Sequence, residues 1–571
     1  MNKSIEKFNR WMNYPYMTET LRSQLEAMRD DHNIIEEAFY KELEFGTSGL
    51  RGIMGPGSNR MNCFVVAKVT QGLSNYINES LKNAEELNNI PSVVISYDSR
   101  SNSKEFAQST AEILSANGIR AYIFREMHPV SLLSYAIRFL KCDYGIMITA
   151  SHNSKEYNGY KVYNRHGGQI LGDEPALILK EINKLDIFDD VKEGNEKNIT
   201  WLGSEVRDAY VRETISKSLR FGIERDGAKP KDIEDLKVVY SPLNGSGLVP
   251  VLEVLENLGV KDVIVVPEQE KPDSNFTTCP KPNPELKEVY TLGVELMKKN
   301  KADILIVTDP DCDRIGVASG DTIFTGNQLG VLLFDYICRN KKPMPLNPVA
   351  VRSIVSTPLL DAIAEDYGVK VNNTLIGFKY IGEMMDELKN DYIFGFEEGN
   401  GYLAFNHMRD KDGVSTAMLV CEMAAEYKAK GLTLEKALKK LYKKYGYYGE
   451  KVINYSFEGR EGLQRREKVM DYLRGDVSNA INGYDVKEVV DYKLQQKHFA
   501  NLGIGSYTKL PVSNIMEYHF EKGQKFIVRP SGTEPNLKAY IFARSKYSGG
   551  VLKKIEKMEK EITRRVNEEQ Y

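Results

Sequence analysis

The chain contains no run of 18 apolar residues, no Cys-x-x-Cys pair and no GxxxxGK[ST] segment. The first absence leaves no candidate for a membrane-spanning helix. The opening residues MNKSIEKFNRWMNYPYM also lack the continuous apolar stretch of a secretory signal. A cytoplasmic setting without a membrane partner is expected. The six cysteines, Cys63, Cys142, Cys279, Cys312, Cys338 and Cys421, are scattered, which suits reduced thiols better than a disulfide framework or structural zinc. Without a Walker-type loop, a P-loop nucleotide site has no support. The segment VVYSPLNGSGLVPV imitates a dinucleotide fingerprint, but Pro250 stands where the third glycine belongs. Net charge is scarce as well: 77 basic and 80 acidic residues leave −3. No overall field then draws the chain to nucleic acid, and an anionic ligand has to be gripped locally.

What is present is an ordinary globular composition, 27% charged and 42% hydrophobic over 571 residues. At about 150 residues per domain this is room for roughly four domains with real cores. Short β-rich runs (SVVISYDSR, YGIMITASHN, LKVVYSPLNG, KDVIVVPE, ADILIVTDPD, YIFGFEEGN) alternate with longer helical stretches. That rhythm predicts α/β domains with largely parallel sheets. Five of the six runs lead directly into a polar segment bearing Gly, Ser or Asp, where open α/β sheets put their ligands. The polar stretch 189–200 before Trp201 reads as a connection, and a second break follows Gly320. The Tyr-rich YKKYGYYGE precedes alternating runs, KFIVRP and LKAYIFA, and a charged helical pattern from Val551 to Glu569. The expected domains are 1–203, 204–322, 323–446 and 447–571, the last a smaller α+β domain.

Four loops carry candidate chemistry. In YGIMITASHNSKEYNGYKVY a strand runs into Thr149, Ala150, Ser151, His152 and Asn153, and a hydroxyl among backbone N–H donors there favours a phosphate. Ser151 reads as a nucleophile or phosphate carrier, or else as the cap of a following helix with Lys161 solvated. In ADILIVTDPDCDRIG, Asp309, Asp311 and Asp313 alternate, so an extended backbone throws three carboxylates to one side. Their repulsion calls for a hard cation such as Mg²⁺. An EF-hand is excluded by Arg314 and Gly320 at the positions that need Gly and Glu, and an aspartate-rich turn without metal is the alternative. In YIFGFEEGNGYLAF, Glu397 and Glu398 sit in a Gly-rich turn, either accepting hydrogen bonds from vicinal hydroxyls or standing solvated at a hairpin tip. In KFIVRPSGTEPNLKAY, Arg529, Ser531, Gly532 and Thr533 are the parts of a phosphate clamp, more than a strand-joining turn requires.

Taken in this order, TASHN with NGYK, DPDCDR, FEEGNGY and RPSGTEP resemble the four signature loops of the α-D-phosphohexomutases, the family of phosphoglucomutases and phosphomannomutases. The resemblance spans almost the whole chain, from GTSGLRG (46 to 52) to beyond Arg529. It implies three α/β domains with mixed sheets and a C-terminal α+β domain around a central cleft. It implies a phosphorylated Ser151, with Asp309, Asp311 and Asp313 as Mg²⁺ ligands completed by a phosphoserine oxygen. Arg51, His152, Asn153 and Arg314 match residues around the transferring phosphoryl, and Lys161 and Lys411 of RDKDG match lysines proposed as general acid or base. Glu397 matches the acceptor of sugar hydroxyls, Gly377 and Lys379 of GFKYIG a sugar-side loop, and Arg529, Ser531, Gly532 and Thr533 the clamp on the non-reacting phosphate. The implied activity interconverts glucose 1-phosphate and glucose 6-phosphate through a sugar bisphosphate, with glucose 1,6-bisphosphate as activator and sugar phosphates, not nucleic acid or a membrane, as partners. One departure stands out: hexose-reading members commonly carry Ser two residues after the glutamate, and this chain has Gly399. A missing hydroxyl weakens discrimination among sugars, so phosphopentomutase and phosphomannomutase activities remain alternatives. A phosphohydrolase and a catalytically silent sugar-phosphate sensor are the rivals.

Overall fold

The six β-rich runs of the sequence all become strands: Ser92–Tyr97, Tyr144–Ile148, Lys237–Ser241, Asp262–Val265, Ile304–Thr308 and Tyr392–Glu397. The computed structural model describes residues 2–46, 49–82, 90–219, 231–475, 480–481, 484–499, 503–531 and 536–567. These fall into two compact units, 1–346 with 378–433 and 347–377 with 434–571.

In the first unit, six strands form one sheet in the order Leu50–Ile53, Tyr157–Asn164, Tyr144–Ile148, Ser92–Tyr97, Arg120–Phe124, Ile199–Leu202. The last four run parallel, and the first two are antiparallel to their neighbours. Continuous apolar runs such as SVVISY suit strands covered on both faces. Here the helix Cys63–Lys82 packs with Ser103–Ala116 and Glu174–Asn183, while Val130–Leu140 packs on Ser92–Tyr97 and Tyr144–Ile148. A second sheet has the order Thr322–Ile323, Ile315–Ser319, Ile304–Thr308, Lys237–Ser241, Asp262–Val265. Its last three strands are parallel and Ile315–Ser319 is antiparallel to both neighbours. The antiparallel hairpin Tyr392–Glu397/Gly401–Leu403 and the helices Gly326–Asn340, Phe378–Leu388 and Gly413–Ala429 complete the unit. Ahead of the first sheet, helices Asn2–Met12, Glu19–Ala27 and His32–Phe39 close over an aromatic cluster, with Trp11 edge-on to Phe39, Phe64 and Phe188.

The second unit holds the parallel pair Val349–Ser353/Lys370–Thr374 and a C-terminal antiparallel sheet running from Tyr447–Ser456 through Asn536–Ser545, Lys525–Pro530 and Met516–Phe520 to Tyr484–Asp491 and beyond. Helices Gly459–Gly475 and Ser548–Asn567 pack on this sheet around Val469, Tyr518, Phe526 and Ile562. Among the described residues no helix is long and apolar enough to cross a membrane.

The sheets are mixed rather than largely parallel, for one repeated reason. Chain segments 149–156 and 309–314 each leave the C-terminal end of a parallel strand and return as an antiparallel neighbour, without an intervening helix. The candidate loops are therefore hairpin tips. At the first tip the backbones crowd: a Cβ on Gly159 would lie 2.6 Å from the Thr149 oxygen and 2.7 Å from the Leu50 oxygen. Both obstacles are main chain in adjoining strands, so Gly159→Ala is expected to cost about 1–3 kcal/mol by overpacking. A lowered midpoint in denaturant unfolding would show it, whereas an unchanged midpoint would mean that the strands spread to admit a methyl group.

Candidate active site

Ser151 sits in the turn between Tyr144–Ile148 and Tyr157–Asn164 with φ at 54°, a left-handed conformation uncommon for a residue with a side chain. The turn is held from within by Arg100, whose guanidinium donates to the carbonyls of Ser151, Asn153, Ser154 and Tyr157. Arg100 is in turn balanced by Asp98, Nε to Oδ2 at 3.3 Å, with both side chains sealed from solvent. Asp98 also accepts from Thr149 Oγ1 at 2.6 Å, and that hydroxyl accepts from the Ser151 amide at 2.7 Å. Buried hydrogen bonds of this kind, to four carbonyls of one turn, rigidify what they hold. Ser151 Oγ is thereby aimed at Asp309, donating to Oδ2 at 3.0 Å, and lies 3.2 Å from His152 Nδ1. No helix follows Ser151, so the helix-cap reading is corrected, and Lys161 is buried rather than solvated. Arg51, on the edge strand Leu50–Ile53, donates to Asn153 Oδ1 at 3.1 Å.

The aspartates converge through a turn, not through an extended backbone. Asp309 Oδ1 accepts the amides of Asp313 (3.1 Å) and Arg314 (2.9 Å), and Cys312 takes a left-handed φ of 50°. The turn is braced by the glycine segment that resembles a dinucleotide fingerprint: Ser246 donates both its amide and its hydroxyl to the Pro310 carbonyl, at 2.8 and 2.9 Å. One oxygen each from Asp309, Asp311 and Asp313 lies within 4.8 Å of the others, and all three residues are buried. Two lysines offset part of the charge. Lys161 Nζ is 2.9 Å from Asp311 Oδ2 and 3.7 Å from Asp313, and Lys411 Nζ is 3.1 Å from Asp313 Oδ2 and 3.1 Å from Asp410 Oδ1.

The electrostatics follow from this crowding. Burial, then the two neighbouring carboxylates, pushes the Asp309 pKa well above the usual range. Burial works against charge on Asp311 too, but Lys161, a hydrogen bond from Asp309 and Lys411 together outweigh it and draw the group below its ordinary value. His152 is driven well below the usual imidazole pKa by burial and by the surrounding cations Arg314, Arg51 and Lys161, which keeps it neutral. Asp311 Oδ1 and Asp313 Oδ1 are buried without a hydrogen-bond partner. Orphaned carboxylate oxygens beside two raised or paired acids are the donor set of a hard divalent cation, so the residues fit one.

The loop after Tyr392–Glu397 is bolted to the second sheet through Asn400, whose carbonyl accepts from the Ile315 amide at 3.0 Å while its side-chain amide donates to the Ile315 carbonyl at 3.1 Å. Glu397 ends its strand opposite Gly401; against burial, the pKa of Arg314 is raised by Glu285, Asp313 and Asp309 and that of Lys411 by Asp313 and Asp410, with Glu397 a lesser contributor to each. Arg314 is paired with Glu285, Nη1 to Oε1 at 2.5 Å. A Cβ on Gly399 would lie 3.2 Å from that same Glu285 oxygen and 3.4 Å from Arg314 Nη1. Lys379, at the start of Phe378–Leu388, is buried, and burial lowers its pKa to about 8.

Ser151, His152, Asn153, Arg51, Lys161, Asp309, Asp311, Asp313, Arg314 and Lys411 thus form one connected cluster in the first unit. Gly377, Arg529 and Ser531 belong to the second unit. There Arg529 Nη2 donates to Tyr540 Oη at 3.4 Å and Nε is buried without a hydrogen-bond partner, while the Ser531 amide donates to the Asn536 carbonyl at 2.8 Å. Gly532 and Thr533, and Thr47 and Ser48 of GTSGLRG, lie outside the described residues. Sequence reasoning missed Asp98, Arg100, Glu285 and Asp410. The available signal was a polar run after a strand (YDSR) and an acidic residue beside a candidate lysine (RDKDG).

Comparison with known proteins places this geometry. Profiles described as "Phosphoglucomutase/phosphomannomutase, alpha/beta/alpha domain" I, II and III match residues 42–187, 209–322 and 325–445. The phosphoglucomutase of Staphylococcus haemolyticus is 36% identical over 519 residues, covering 89% of this chain and 91% of that protein. The phosphoglucomutase of Staphylococcus aureus is 35% identical over 534 residues, covering 91% and 93%. Among solved structures, a putative phosphomannomutase from Thermus thermophilus superposes with a TM-score of 0.69 at 22% identity, over 92% of this chain and 99% of that one. The phosphoglucomutase parafusin from Paramecium, in its open form, gives 0.69 at 19% identity, over 92% and 95%. Both likenesses concern the fold: three α/β domains with mixed sheets and a sheet-rich C-terminal domain.

If the orphaned carboxylate oxygens hold a cation, excess chelator should abolish turnover and added Mg²⁺ restore it. Asp311→Asn should lower kcat about a hundredfold or more through the lost charge stabilisation, with the far-ultraviolet circular dichroism unchanged. Full activity in chelator would make the aspartate turn a purely structural element.

Proposed function

The chain belongs to the phosphoglucomutase/phosphomannomutase family, and from that premise we propose that it is a phosphoglucomutase, an isomerase that interconverts glucose 1-phosphate and glucose 6-phosphate. The observation that carries this reading is the Ser151 hydroxyl set 3.0 Å from a carboxylate of the buried aspartate triad. A binding protein has no use for a nucleophile in that position. The near-35% identity to phosphoglucomutases over most of the chain supports the choice of glucose.

In the working enzyme Ser151 carries a phosphoryl group, about two negative charges and three strong acceptor oxygens. A free hydroxyl of the bound sugar monophosphate attacks phosphorus: a phosphorus–oxygen bond to the sugar forms, the one to Ser151 Oγ breaks, the hydroxyl proton passes to a general base and the leaving Ser151 Oγ takes a proton from a general acid. Lys161 and Lys411 are the two groups placed to move these protons. The resulting bisphosphate turns end for end, and Ser151 Oγ takes back the other phosphoryl. Asp309, Asp311 and Asp313 with a phosphoserine oxygen would hold Mg²⁺, which supplies charge neutralisation and Lewis acidity at the phosphoryl when bound. Arg51, His152, Asn153 and Arg314 surround the transferring group. Gly377, Lys379 and Glu397 read the sugar, and Arg529, Ser531, Gly532 and Thr533 grip the phosphate that is not reacting, in a chain divided as 1–203, 204–322, 323–446 and 447–571. Glucose 1,6-bisphosphate serves as activator by rephosphorylating Ser151, and the setting is cytoplasmic.

A second reading rests on Gly399. With no side chain at that position, the Glu285–Arg314 pair faces the loop without a hydroxyl between. This favours a looser sugar site and keeps pentose or mannose phosphates as alternative substrates.

Freshly purified protein is expected to show one added phosphate by intact mass, mapping to Ser151 and absent from Ser151→Ala, which should be inactive. A fully active Ser151→Ala variant would end the phosphoserine mechanism.

A further inference from the structure

Lys411 stands between two carboxylates of different destiny. Its ammonium is 3.1 Å from Asp313, a member of the triad, and 3.1 Å from Asp410, which is not. Asp410 is buried and fully engaged: Oδ1 accepts from the Lys411 amide at 2.8 Å and from Lys411 Nζ, and Oδ2 accepts from Tyr163 Oη and Gln169 Nε2, each at 3.1 Å. Tyr163 shares a face of the strand Tyr157–Asn164 with Lys161, two residues earlier. The strand that carries one lysine to the triad thus also carries the hydroxyl that anchors the counter-ion of the other.

A divalent cation on the triad competes with both ammonium groups for Asp311 and Asp313, and the displaced lysines need another carboxylate in a buried site. Among the described residues only Lys411 has one in contact. We propose that Asp410 is the positioning residue that takes over Lys411 from Asp313 when the cation engages the triad. Asp410 keeps that ammonium in the site and prevents it from opposing the metal. This rests on the reading of the aspartates as a cation site and adds to it a residue outside the ligand set, acting through Lys411.

The test is calorimetric titration of the full-length protein with Mg²⁺, for the parent, Asp410→Asn, Lys411→Gln and the double variant. Without Asp410 the ammonium stays on Asp313, so Asp410→Asn should weaken Mg²⁺ binding about tenfold, in the range found for groups that support metal ligands. In the Lys411→Gln background there is no ammonium to relocate, and the same change should cost less than about threefold, the mark of a coupled pair. Asp410→Glu, which keeps the charge, should bind within about threefold of the parent. Kinetics at saturating Mg²⁺ should show kcat of Asp410→Asn reduced about tenfold with KM within about twofold, an effect on the reacting state rather than on substrate binding. Asp410→Ala, which leaves room for water, carries the same expectations should the amide variant fail to fold. Equal Mg²⁺ affinity in Asp410→Asn and the parent, or an equal loss with and without Lys411, would overturn the proposal while leaving the cation site standing. A parent protein that takes up no Mg²⁺ would overturn both.

Discussion

Three carboxylates buried within 4.8 Å of one another are the constraint around which the first unit is organised. Burial and mutual repulsion raise the cost of ionising them together, and each surrounding feature reduces that cost. Two backbone amides wrap Asp309, Lys161 and Lys411 reach in from different elements, and Arg314 extends from the same turn to Glu285. The oxygens of Asp311 and Asp313 that nothing satisfies mark what is still owed to a cation. A cation held there would relieve the aspartates and a phosphorylated Ser151 alike.

The second organising fact is topological. Each of the three loops in the first unit is the tip of an antiparallel hairpin: 149–156 between Tyr144–Ile148 and Tyr157–Asn164, 309–314 between Ile304–Thr308 and Ile315–Ser319, and 398–400 between Tyr392–Glu397 and Gly401–Leu403. A hairpin returns the chain beside itself, so the returning strand can deliver a second functional group to the tip it has just left. Lys161 and Tyr163 do this behind Ser151. The buried Asp98–Arg100 pair then fixes the tip from a neighbouring parallel strand, bonding the carbonyls that a tight turn leaves unpaired. Deleting either partner would strand a buried charge.

Much of this was legible in the residues. The apolar runs SVVISY, YGIMI and ILIVT announced buried strands, and the polar residues at their C-terminal ends announced the site. The helical run near the C-terminus was readable from its charged periodicity, and the structure has it as Ser548–Asn567. What the residues concealed was direction of return. TASHNSKEYNGYKVY reads as strand, loop and possible helix, because nothing local distinguishes a crossover from a hairpin until the partner strand is known. The same limit hid the supporting groups. Asp98, Arg100, Glu285 and Asp410 are ordinary surface residue types, and only tertiary pairing makes them partners of Ser151, Arg314 and Lys411, with Asp98, Arg100 and Asp410 buried and Glu285 left half-exposed. The pseudo-fingerprint NGSGL is the converse case. Its glycines serve close packing, Gly245 on Pro310 and Gly247 on Cys312, Tyr240 and Thr308, a purpose no spacing rule encodes.

The central claim is that a phosphoryl group leaves Ser151 for the sugar and comes back, never reaching water. A coupled assay following glucose 6-phosphate from glucose 1-phosphate, with inorganic phosphate measured in parallel, tests it most directly. The account predicts stoichiometric glucose 6-phosphate, negligible phosphate release, and an initial lag abolished by traces of glucose 1,6-bisphosphate. Phosphate release matching the loss of glucose 1-phosphate, with no glucose 6-phosphate formed, would contradict it and make the protein a hydrolase.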